Sequence, residues 1–169
     1  MHRKTLACLF AASLVPLCAA ADDTLVKFKG GIGVLPISAA QGTAPTSTPV
    51  NRNIVRGVQP PGQPWVIEDL RAEVDRSGRI TVEGRGLLLA GGNGVGTTGG
   101  LSVFATLVCE SAAPFVERST SLAGVKLEPD GDFRIDDVLT PPPAECASPV
   151  LLIRNTANLG WFAAGIVRR

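Results

Sequence analysis

Apolar and polar residues alternate with a period of two through much of this chain, and turn signals interrupt the pattern before a helical stripe can form. Leu70, Ala72 and Val74 alternate with Arg71, Glu73 and Asp75; after Arg76-Ser77-Gly78, Ile80 and Val82 alternate with Thr81 and Glu83. Successive strand residues point to opposite faces, so this pattern predicts a hairpin with one face in a core and one in water. A second hairpin is expected from residues 125–128 to 133–136 around Pro129-Asp130-Gly131, where proline presets φ and glycine accepts a positive φ. A third joins residues 150–153 to 161–164 through the polar stretch 155–160. Residues 86–90 and 101–109 are apolar enough to be buried on both faces. Strands near residues 25–28, 33–37, 54–58 and 65–68 bring the expected count to about eight to ten, the pattern of an all-β antiparallel fold. The expected architecture is a β-sandwich of the Ig-like or Greek-key type, with a small β-barrel as the alternative. Prolines in residues 44–49 and 59–64 cannot donate fully to a ladder, so the first third should consist of edge strands and extended loops.

The first 21 residues read differently. Met1-His2-Arg3-Lys4 is basic, residues 5–17 are almost wholly apolar, and Ala19-Ala20-Ala21 supplies small residues before Asp22-Asp23, the layout of a cleaved export signal. A membrane anchor would need about 18 or more apolar residues, and this run is shorter and broken by Pro16. Acylation at Cys18 is disfavoured by the bulky Leu17 before it. The expectation is a secreted or periplasmic domain over residues 22–169, single in number and loop-rich over about 22–64, with no membrane span.

That mature segment has no histidine, because the chain's single one is His2, and it has no tyrosine. The net charge is +1 for the whole chain and −1 once Arg3 and Lys4 are removed. Its basic residues are scattered singly along the sequence, which argues against nucleic acid, since that partner calls for a concentrated basic surface. Cys109 and Cys146 are the cysteines left after cleavage, and an even count in an oxidising compartment predicts a disulfide. They do not form the Cys-x-x-Cys spacing of a redox pair.

Several segments invite a chemical reading beside a structural one. Gly94-x-Gly96-x-x-Gly99 matches a dinucleotide-binding pattern, but that pattern requires a helix after the third glycine and a strand is expected here instead. The loop around Gly92, Asn93, Gly94, Gly96 and Gly99 is better read as a connection between strands that also offers a rim for binding. Adjacent acidic residues on a strand point to opposite faces, so Glu68-Asp69 and Asp136-Asp137 do not pair within themselves. Folding could still bring them together as the carboxylates of a glycan or peptide hydrolase. Asp130 and Asp132 flank a turn that favours aspartate for backbone reasons, and no acidic calcium loop is present. No histidine-activated serine, metal site or cofactor is expected. Trp65 and Trp161 could form a sugar platform, although packing in a core is the commoner use of tryptophan.

The stretches SVFATLVCE at 102–110, LEPDGDFRIDDVLT at 127–140, and CASPVLLIRN through WFAAGI at 146–166 resemble small exported bacterial proteins of unknown function. That resemblance implies export, one domain and the cysteine pair, and no activity. The leading expectation is a non-enzymatic binding or structural module whose partner is a protein, an envelope component or a second copy. A carboxylate hydrolase and a small-ligand carrier with an apolar pocket between its sheets are the alternatives.

Overall fold

The computed structural model describes residues 23–40 and 50–168; the expected signal and the prolines of 44–49 lie outside these. The described residues form strands and no helix: β1 (Thr24–Gly33), β2 (Ile37–Ala40), β3 (Val50–Arg52), β4 (Trp65–Val66), β5 (Asp69–Asp75), β6 (Arg79–Arg85), β7 (Leu88–Leu89), β8 (Ser102–Val108), β9 (Arg118–Ser119), β10 (Val125–Lys126), β11 (Phe133–Val138), β12 (Val150–Asn155) and β13 (Trp161–Val167). Nine of them build one antiparallel sheet in the order β10-β8-β12-β13-β1-β5-β6-β11, with β9 also on β8. Two small ladders, β2-β3 and β4-β7, lie off that sheet.

The all-β antiparallel expectation holds, and the main sheet takes its barrel-like form. β9 and β10 follow one another along the same edge of β8, opposite Thr106–Leu107 and Val103–Ser102 respectively. The far edge, β11, approaches them at both ends. The Glu128 amide donates to the Asp132 carbonyl at 2.9 Å across the turn, and Ser119 and Thr140 exchange two backbone bonds at 3.1 and 2.9 Å. Eight strand positions around a barrel leave an interior just wide enough for side chains to fill. Val26, Phe28, Leu70, Val82, Leu107, Ile135, Leu151 and Ile153 are among the buried residues that fill it.

The hairpins of residues 70–83 and 150–164 form as their alternation predicts. The hairpin expected around Pro129-Asp130-Gly131 does not. The turn is there, but its two arms separate, β10 to β8 and β11 to β6, because each finds a longer-range partner. At the start of β11 the Phe133 ring lies over Gly84, where a Cβ would meet it at 2.1 Å, so glycine is what lets the two strands approach. Residues 54–58, expected as a strand, form a tight turn in which Val55 and Val58 exchange backbone bonds. The strand expected over 33–37 breaks between Gly33 and Ile37, and that over 86–90 shrinks to the half-buried pair Leu88–Leu89. β9 had no sequence signal. β1 serves two neighbours, pairing β5 through Lys29 and β13 from Phe28 onward, and it turns between them at Gly30, whose φ of +92° suits glycine.

The Cys109–Cys146 disulfide is formed and spans a sequence separation of 37, a loop that contains β9, β10 and β11. Converting both cysteines to serine is expected to lower the unfolding free energy by roughly 4 kcal/mol on chain-entropy grounds. Urea denaturation measures it; a loss under about 1 kcal/mol would mean that strand pairing alone holds this loop.

Candidate functional site

The outward residues of β1, β5, β6 and β11 meet in cross-strand rows. Lys29 lies opposite Arg71, Arg71 opposite Glu83, and Glu83 opposite Arg134. The next row runs Lys27, Glu73, Thr81 and Asp136. The strands alternate, so Phe28, Ala72, Val82 and Ile135 turn into the core and these charged side chains share the outer face. A depression of about 400 Å³ lies over them, and Lys27, Lys29, Arg71, Arg134 and Arg168 supply five positive charges to its wall against the two of Glu73 and Glu83.

Part of that charge is paired. Lys27 sits 3.3 Å from Glu73 and Arg71 3.2 Å from Asp69, while Arg134 bonds Glu83. Lys29 and Arg168 have no ion-pair partner among the described residues. Like charges placed directly opposite on neighbouring strands are unfavourable, so the Lys29–Arg71 juxtaposition works against the sheet rather than for it. The face can hold an anion between flexible, water-exposed cations.

Of the residues singled out by sequence, Asp136 stands in the second of these rows and Asp69 pairs with Arg71 of the first, and the others lie elsewhere. Asp69 stands at the register of Arg85 and Asp136 at that of Thr81, so four residues along β6 and two strand spacings separate them, about 16 Å. A glycosidase pair needs about 5–10 Å. Asp136 is held by Arg79 at 2.8 Å, and Asp137 accepts the Ser121 amide at 2.8 Å; Glu68 is exposed beside Gly86. The four carboxylates are therefore not brought together. Gly92, Asn93, Gly96 and Gly99 are exposed and Gly94 half-buried in a loop folded onto its own stem, with Leu89 donating to the Thr97 carbonyl and Gly96 to that of Leu89. Trp65 is buried and stacks on Phe162 at 3.9 Å, and Trp161 is buried with its indole N–H on the Asn53 carbonyl, so neither offers a platform. Among the described residues no group of acidic, cysteine or histidine side chains is arranged to hold a metal.

Residues 110–119 leave the barrel wall and return to it through Glu110 and Arg118. The Arg118 guanidinium lies 2.8 Å from Glu110, and this hydrogen bond, helped by the Val116 amide, outweighs burial and holds the Glu110 carboxyl down at about 2. Compared with known protein families, curated proteins and solved structures, the chain matches none.

A carboxyl whose folded value lies below its ordinary 4.5 contributes stability above pH 4.5 that fades as pH falls toward about 2. The wild-type protein should therefore lose stability across that window more steeply than Glu110→Gln. Equal slopes in urea titrations between pH 5 and 2 would show that Glu110 is not the group responsible.

Proposed function

We propose that this protein is an exported, non-enzymatic binding module whose outer face on β1, β5, β6 and β11 takes up an extended polyanion of the cell envelope. The observation that carries this reading is Lys29 opposite Arg71 in a depression with five cations and two carboxylates. Cations on β1, β5 and β11 stand across a width of four strands, about 14 Å, too wide for one small anion and suited to a chain of them. The arginines can grip carboxylate or phosphate oxygens in pairs, and the lysines supply mobile point charges.

Export is supported by the basic-then-apolar start of the chain and by the Cys109–Cys146 disulfide, a bond that persists in oxidising compartments. Among the described residues no helix is long and apolar enough to cross a membrane.

The reading requires that stability and binding move in opposite directions at one residue. Lys29→Glu replaces a like-charge neighbour of Arg71 by an opposite one, so it should stabilise the fold by roughly 0.2–1 kcal/mol. The same change should weaken binding of polygalacturonate, a linear polyanionic probe, by tenfold or more, and wild-type binding should fall steeply with added salt. Retained binding by a folded Lys29→Glu/Arg168→Glu protein would remove the cationic face from consideration.

A further inference from the structure

We propose that the outside of β8 and β12 carries a second, separate site, which takes a small apolar carboxylate headed by Arg154. Phe104 and Arg154 are register partners on the same face of these strands, and neither belongs to the core cluster that their neighbours Val103, Ala105 and Ile153 join. The Arg154 side chain is only 7% exposed. Its guanidinium carbon lies 5.3 Å from the centre of the Phe104 ring, Nε donates to the Leu159 carbonyl at 2.8 Å, and Nη1 donates to Glu117 at 2.6 Å and to the Thr106 hydroxyl at 3.3 Å. Nη2 has no protein acceptor. It is not sealed off either, because Arg118 Nε is the only buried side-chain N or O atom left without a partner among the described residues. A guanidinium offers donors in a fixed planar fork, and here Nε and Nη1 are committed while Nη2 is left without a protein acceptor.

Arg154 contributes to the wall of a cavity of about 350 Å³ whose lining also includes Phe104, Glu117, Leu122 and Leu159 beside the hydroxyls of Ser119, Thr120 and Thr140, at the small end of ligand sites. Leu122 and Leu159 stand at its rim with 58% and 44% of their surfaces exposed. Leu159 also adopts φ of +59°, a conformation that a branched side chain rarely takes. That conformation keeps its carbonyl on Arg154 Nε while its side chain lines the cavity. Such local strain concentrates at ligand sites, where surrounding contacts hold it. A free arm on a buried cation calls for an anionic oxygen, and the two leucines with the Phe104 ring call for a short hydrocarbon body. A carboxylate on an aliphatic or aromatic stem meets both requirements.

The site is independent of the polyanion face, and so is its test. The oxidised protein would be titrated with octanoate, octanol and octylamine by calorimetry and by amide and arginine side-chain NMR. Octanoate should bind with a Kd below about 1 mM, and the other two at least tenfold more weakly. Shifts should appear at Leu122, Leu159 and Arg154 Nε and be absent at Lys29 and Arg71. Replacing Arg154 risks the fold, so two milder changes carry the argument. Leu122→Glu, at an exposed position, should weaken octanoate tenfold or more by placing a like charge at the mouth. Glu117→Gln frees the guanidinium from its competitor and should tighten octanoate at least threefold, an increase that a purely structural ion pair would not give. Octanol binding as well as octanoate, a preference for octylamine, shifts confined to the cationic face, or no saturable binding would each overturn the assignment.

Discussion

Closure of the main sheet is the constraint on which the other features depend. An open sheet leaves rows of unpaired backbone groups along both edges, and a barrel removes them only if its first and last strands meet. Here the meeting is made by three short links: the Glu128–Asp132 turn, the Ser121 amide on the Asp137 carboxylate, and the Ser119–Thr140 backbone pair. None of these is a long ladder. All three, together with the β9, β10 and β11 edges they join, lie in the loop bounded by Cys109 and Cys146, so the covalent bond limits the disorder of the very segment that completes the wall.

Closure also divides the outside of the barrel into two unlike halves. β8 and β12 are buried on both faces over nearly their whole length, because the 110–122 excursion and the 155–160 turn fold over them. β5 and β6 keep a bare outer face, and their strict alternation of buried and accessible residues records it. A covered face provides walls for a cavity and an uncovered one provides a broad surface. The two proposed sites follow that division, one walled by covering loops and mostly apolar, the other a charged sheet face.

The same division explains what could be read from sequence. The β5-β6 hairpin was legible because partner residues are close in the chain and one face is polar; Arg71, Glu73, Thr81 and Glu83 appeared there as a wet face. That β1 and β11 would flank it was not legible, since their pairings join residues far apart, and so Lys29 and Arg134 could not be placed in one row with Arg71. A basic surface with one or two cations per strand leaves no cluster in the sequence. The turn at residues 129–131 is legible and the pairing of its arms is not, for turn chemistry fixes a change of direction and not which strands pair beyond it. Arg154 was hidden for the opposite reason. It sits in an apolar run that reads as core, and only the outward face of β12 and the return of Glu117 show why a charge is tolerated there.

The energetics of the two faces differ accordingly. Exposed ion pairs such as Lys27–Glu73 and Arg79–Asp136 are each worth about 0–1 kcal/mol, so the charged rows do little to hold the sheet, whose stability comes from the buried side chains beneath them. Charges on that face can change with small effect on folding, and a like-charge neighbour can persist there at small cost. Arg154 has no such freedom. Deleting the guanidinium would empty a buried position, whereas the pair as a whole is half in water and falls short of the ~3–5 kcal/mol that loss of one partner costs in a fully buried pair. Glu117, with nearly half of its side chain in water, can be solvated if its partner is occupied elsewhere, whereas the guanidinium cannot. The asymmetry makes Arg154 the fixed member of the pair and Glu117 the exchangeable one, which is the arrangement an anion would need in order to enter.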